Sequence, residues 1–303
     1  MAKVIRHLRE EQREFQRVFS GLCDSKSSWQ VWADFIECAA ISISNFVDRD
    51  SSDSEEREER YVRIMGTYRE AERRVFGQLF TIMAEALETD PDQDFLGEMF
   101  MALELGNHWK GQFFTPYNVC RMMAKMQITT ADALISGRGW VGVNDPACGA
   151  GALLIAARNE FAEKGIGYRQ TLFVAQDIDH VAGLMCYIQL SLLGCAGYVV
   201  IADTICNPIC GVSPLLPIIQ PGQDFWFMPM LYDEVWQERI RWEYMTSTVK
   251  LMARRPPEVV ATPAVVEEES APGVDMAKKE RPAEGQEAGT AMAEADDGQL
   301  MLF

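Results

Sequence analysis

Three aspartates, Asp145, Asp177 and Asp203, each close a short apolar run, and the first opens the string Asp145-Pro146-Ala147-Cys148-Gly149-Ala150-Gly151 ahead of an amphipathic stretch. A strand, a glycine turn and a helix in that order set the turn against the positive end of the helix dipole. Gly149 and Gly151 there let backbone come close to a ligand. The chemistry on offer is recognition by carboxylates and main-chain amides. Taken singly, each acid reads as well as a cap on the following helix or as a solvated side chain, so the weight falls on their joint order. A dinucleotide site would want a third glycine at position 154, where the chain has Leu154. Further on, Asn207-Pro208-Ile209-Cys210 offers a carboxamide and a carbonyl as hydrogen-bond acceptors.

The elements that must hold these residues follow from hydrophobic periodicity. From Trp140 onward, short apolar runs at Trp140–Asn144, Leu172–Ala175 and Tyr198–Ala202 alternate with helical stretches at about Ala152–Lys164 and Val181–Leu193. That alternation is the pattern of an α/β fold around a parallel sheet. Gly165 and Gly194 stand where left-handed helix caps want glycine. Residues 3–106 read as helices, with apolar steps of three and four at Trp29, Trp32, Phe35 and Ile36 and again at Val75, Phe76, Leu79, Phe80 and Met83. Asp48–Arg60, dense in charge and serine, reads as a solvated loop running into a charged helix start. Phe225, Trp226, Phe227, Trp236 and Trp242 are expected in the core or in a lid. The expected division is a helical domain over 1–106, a ligand-binding domain over 107–255, and a disordered acidic tail over 256–303.

With 303 residues, 48% of them hydrophobic and 24% charged, the chain has ordinary globular composition. It lacks an apolar run of membrane-spanning length, so no membrane partner and a cytoplasmic location are expected. The eight cysteines fall in no paired zinc spacing, and no metal site is expected. The net charge is −17; 11 acidic and 3 basic residues beyond position 255 leave −9 for the rest. So acidic a body binds duplex DNA weakly by itself and needs a basic partner or a local basic face.

The string from Asp145 to Gly151 resembles the cofactor motif of adenine-N6 DNA methylases, in particular the modification subunit of type I restriction-modification systems. The resemblance implies a truncated, Rossmann-like S-adenosyl-L-methionine-dependent methyltransferase sheet preceded by helices. In it Asp145 meets the methionine amino group, while Pro146, Ala147, Gly149 and Gly151 admit the cofactor. The segment Gly111–Pro116 is similar to the family's Gly-Gln-x-Phe-Thr-Pro stretch, which implies that Phe114, Thr115 and Pro116 close over the methionine end. Gln176 and Asp177 fall at the ribose position, and Asp203 at the adenine ring.

The family ends a fourth strand, beside the first, with Asn-Pro-Pro-Tyr or Asn-Pro-Pro-Phe. Here Asn207 and Pro208 retain the acceptors for a target amine, but no stacking ring follows. Only three residues separate Asp203 from Asn207, about 10 Å when extended, too short for another strand. The expected function is that of a DNA adenine-N6 methyltransferase family protein with DNA as partner and its catalytic half degraded or supplied by a specificity or catalytic subunit. The alternative is a catalytically inactive DNA-associated module of a phage or mobile element. Finally, Gln299-Leu300-Met301-Leu302-Phe303 resembles the peptide by which bacterial proteins dock into the sliding clamp, with Gln299, Leu300, Leu302 and Phe303 as the contacts.

Overall fold

The computed structural model describes residues 8–23, 26–48, 52–105, 114–128, 131–253 and 299–301. Five helices come first: α1 (Glu10–Ser20), α2 (Ser28–Val47), α3 (Ser52–Gly66), α4 (Glu70–Thr89) and α5 (Phe95–Ala102). Their starts are locally encoded, since the Ser27 side chain accepts from the Gln30 amide ahead of α2 and Asp94 accepts from the Gly97 amide ahead of α5. The faces of α1 and α2 meet through Phe15, Trp32 and Phe35, whose rings contact edge to face or tilted. Two more helices, α6 (Tyr117–Gln127) and α7 (Ala131–Arg138), lead into the sheet.

The sheet alternates as its periodicity implies: β1 (Val141–Asp145), α8 (Ala152–Glu163), β2 (Thr171–Asp177), α9 (His180–Leu192) and β3 (Ala196–Ile201). All three strands are parallel and almost wholly buried, as strands covered by helices must be. Gly165 (φ 76°) and Gly194 (φ 70°) end α8 and α9 in the left-handed region. The amides that follow them, those of Ile166 and Cys195, reach back to the carbonyls of Phe161 and Leu190 at 2.9 Å.

After β3 come a two-strand ladder of β4 (Cys210–Gly211) and β5 (Pro217–Ile218), then β6 (Asp224–Phe227), a 3-10 turn at Pro229–Tyr232, and α10 (Glu234–Ala253). A last strand, β7 (Gln299–Met301), completes a five-stranded sheet in the order β6-β3-β2-β1-β7, with β6 antiparallel. A single apolar cluster runs from Phe15 and Trp32 in the helical layer to Phe173, Trp226 and Met228 at the sheet. The disorder expected over 256–298 falls outside the described residues, as do Leu302 and Phe303.

Two expectations need correction. Asp48–Arg60 does run into a charged helix start, α3 from Ser52 with Asp53 and Glu55 in its first turn, but it is not solvated throughout, because Arg57 is only 3% exposed. Its guanidinium lies 4.0 Å from the Trp226 ring centroid and donates to the Phe225 carbonyl and the Ser44 hydroxyl at 2.7 and 2.8 Å. A charged stretch can bury one arginine when carbonyls and a ring replace its water. Trp242 is not in the core: it is 66% exposed on α10, whereas Phe225, Trp226 and Trp236 are buried. The outer neighbour of β1 is β7.

Candidate functional site

Asp145 and Asp177 are the final residues of β1 and β2, and Asp203 follows β3 by two residues, so the parallel register brings all three to one end of the sheet. The connecting turns are tied together. The Gly149 amide donates to Asp177 Oδ2 at 2.8 Å, the Cys148 amide to the Gln176 carbonyl at 3.0 Å, and the Thr204 hydroxyl to the Pro146 carbonyl at 2.6 Å. Strand ends in an open α/β sheet are where such folds bind ligands.

Asp145 is 2% exposed and accepts one amide, from Ala147 at 3.1 Å. No arginine, lysine or histidine pairs with it or with Asp177 among the described residues. Burial therefore raises the Asp145 carboxyl to about 6, against the pull of the Ala147 amide, and Asp177 nearby adds to the rise. Asp177 is raised too, chiefly by burial, although the Asp179 and Gly149 amides oppose the shift. A buried carboxylate with no cation is poised for a cationic ligand group.

The glycines of this turn are required by close packing. Gly149 (φ 52°) lies under the ring of Phe114, and a Cβ on it would come within 3.0 Å of that ring. Gly151 (φ 91°) starts α8, and a Cβ there would come within 2.8 Å of Cys186 Sγ. The Phe-Thr-Pro segment and the glycine turn, far apart in sequence, are thus in contact. Phe114 also packs on Phe100, with centroids 5.2 Å apart. Thr115 and Pro116 are exposed and line, with Asp94, Phe114 and Arg121, a cavity of about 390 Å3. Residues 111–113 of the same segment lie outside the described residues.

Gln176 faces inward rather than toward this mouth. Its side chain is 2% exposed, donates to the carbonyls of Ala202 and Asn207 at 3.3 and 2.9 Å, and accepts from the Ile209 amide at 3.2 Å. It fastens the 202–209 loop. Asp203 Oδ1 accepts from the amides of Cys206 and Ile205 at 3.0 and 2.8 Å, which lower its pKa and fold the loop into a tight turn. In that loop the Asn207 carboxamide donates to the Pro221 carbonyl at 3.1 Å, and Gln223 Nε2 donates to the Pro208 carbonyl at 3.1 Å.

One residue that sequence reasoning passed over also shapes the turn. Gln189 in α9 is fully buried, donates to the Ala150 carbonyl and to Asp94 at 2.9 and 2.8 Å, and accepts from the Leu96 amide at 3.0 Å. Its signal was a lone carboxamide on an otherwise apolar helix face. Among the described residues no three histidine, cysteine or acidic side chains gather as metal ligands, and no helix is long and apolar enough to cross a membrane.

Comparison with known proteins finds one family model that matches part of the chain. The family model described as N-6 DNA Methylase matches residues 94–218, the span that holds Phe114, Asp145, Asp177, Asp203 and Asn207. No curated protein matches the chain. Among solved structures it is similar to a proposed class I S-adenosylmethionine-dependent methyltransferase from Listeria monocytogenes, at 14% identity and a TM-score of 0.37, over 76% of this chain and 70% of that one. The methylase match implies S-adenosylmethionine as the cofactor.

Proposed function

We propose that the chain is an S-adenosylmethionine-dependent methyltransferase acting on adenine in DNA, with the cofactor held at the Asp145–Gly151 turn. The observation that carries the reading is Asp145 itself, a carboxylate 2% exposed, without a cationic partner among the described residues, beside a turn whose Gly149 and Gly151 let Phe114 and Cys186 pack directly on its backbone. An α-ammonium group against Asp145 satisfies it, and that charge pairing is strong because the site is dry. Asp177 receives ribose hydroxyls, Asp203 borders the adenine ring, and Phe114 with Thr115 and Pro116 covers the methionine end. When bound, the cofactor supplies an electrophilic methyl group. The protein's part is to orient that group, exclude water and hold the target amine in line.

Asn207 and Pro208 are the acceptors this chain offers to such an amine. Their loop is held by Gln176 and Gln223, and the Pro208 carbonyl already accepts from Gln223. This favours a second reading in which the chain binds cofactor and DNA while a catalytic or specificity subunit completes the site, or in which no transfer occurs. Tritiated methyl transfer to unmethylated bacterial DNA decides between them. Label incorporated by the wild type and abolished in Asn207→Ala supports the enzyme, whereas no incorporation without a partner supports the binding module. The cofactor has its own test: S-adenosylmethionine raises the melting temperature, and Asp145→Ala removes the rise. A wild type that shows no rise defeats the assignment. The reading of Gln299, Leu300, Leu302 and Phe303 as a sliding-clamp peptide rests on their sequence alone, and deletion of residues 299–303 tests it through loss of clamp pull-down.

A further inference from the structure

The outer edge of β1 has an occupant that methyl transfer does not explain. Gln299, Leu300 and Met301 lie along it in parallel register, opposite Gly142, Val143 and Asn144. The Val141 amide points the other way, donating to the Gln170 carbonyl at 2.8 Å at the start of β2. Strand alternation therefore turns the main-chain groups of Gly142 and Asn144 toward β7. Without β7 they would form a bare sheet edge, the kind of surface that captures extended peptides.

The ladder is built to exchange. It pairs three residues, against five between β1 and β2 and six between β2 and β3. Forty-five residues separate the end of α10 from β7 in the sequence, and attachment within one chain gives the peptide a local concentration at β1 on the order of 1 mM. Three-residue pairing on one side only is the weakest unit of such a sheet and opens at low cost.

We propose that the outer edge of β1 is a docking site for an extended apolar peptide in parallel register, filled in cis by the chain's own Gln299–Met301. While paired, the peptide is withheld from any other groove, so a partner that takes these residues must first strip them from β1. Release bares the strand whose last residue is Asp145, linking the whereabouts of the tail to the ligand turn. The inference stands apart from the methyltransferase reading, because it needs neither cofactor nor turnover.

Hydrogen exchange on the full chain tests it, read at the amides of Gly142 and Asn144 in the wild type and in Leu300→Pro and Met301→Pro. Of two adjacent strand residues one turns its amide toward β1, so one of the two prolines removes a ladder bond. The melting temperature of each variant is recorded alongside. The expected result is protection in the wild type and at least tenfold faster exchange at both amides in one variant. A labelled Gln-Leu-Met-Leu-Phe peptide should then bind that variant at least tenfold more tightly than the wild type, whose own tail competes. Unprotected amides in the wild type, exchange unchanged in both variants, or a peptide that binds no variant overturns the proposal. A cofactor-induced rise in melting temperature that survives any of these outcomes shows that only the edge site has failed.

Discussion

Phe114 lies against Gly149 so closely that a single added methyl group would come within 3.0 Å of its ring. The contact joins the segment preceding α6 to the turn that opens α8, and it gives the first prediction. Gly149→Ala should destabilise the chain by about 1–3 kcal/mol, from the positive φ and from the clash, and weaken S-adenosylmethionine binding more than tenfold. Adding Phe114→Ala removes the clash but leaves the backbone strain, so the double variant should recover part of the stability and little of the affinity. Thermal denaturation and equilibrium binding, run together, separate the two effects.

Asp145 predicts a pH dependence. Its carboxyl is raised to about 6 in the fold from an ordinary 3.8, so the native state holds a proton that the unfolded chain has released. The ligand-free chain therefore loses stability as pH rises between those values, by on the order of 3 kcal/mol in total. Binding of a cationic cofactor has the opposite sense, because it needs the carboxylate. Affinity should fall about tenfold per pH unit below pH 6, and Asp145→Asn should bind weakly with no such slope. Calorimetric titrations at pH 5, 6, 7 and 8 on both proteins measure this; equal slopes would remove Asp145 from the ligand contact.

Gln176→Leu should cost at most about 3 kcal/mol of stability while freeing the 202–209 loop, since the substitution strips partners from Ala202, Asn207 and Ile209. Exchange at the Ile209 amide should quicken. Cofactor affinity should drop through the adenine end, with adenosine alone losing affinity by the same factor as the whole cofactor.

Arg57→Ala should cost about 2–4 kcal/mol, because it leaves the Phe225 carbonyl and the Ser44 hydroxyl buried without their donor and uncovers Trp226. Arg57→Lys should restore little of it, since an ammonium neither stacks on the indole nor reaches two acceptors in one plane. Urea denaturation gives both numbers.

The strands β1 to β3, the two helices between them and the glycine caps at Gly165 and Gly194 were legible in the sequence, because periodicity and turn chemistry are local. The meeting of Phe114 with the Asp145–Gly151 turn was foreshadowed by the methylase resemblance, and the structure brings the two into contact. The rest depends on partners distant in the chain. Asp224–Phe227 is a four-residue antiparallel strand whose apolar run carries no alternation to mark it. Arg57 sits among acids and serines that read as solvated, and only the carbonyl of Phe225, 168 positions away, makes its burial affordable. Gln176 reads as a polar residue at a strand end, yet the loop it fastens had no periodic signal to reveal it. The pairing of Gln299–Met301 with β1 depends on an edge that no local pattern announces.

One row of rings reaches from the first helix to the Asp145–Gly151 turn. Phe15 touches Trp32, Trp32 touches Phe100, Phe100 touches Phe114, and Phe114 rests on Gly149. The row doubles as an optical gauge. A ligand that shifts Phe114 disturbs the surroundings of the indoles of Trp29 and Trp32, both packed on Phe100, so with the chain's other five tryptophans replaced by phenylalanine their emission reports, without any added dye, on a turn that neither ring touches.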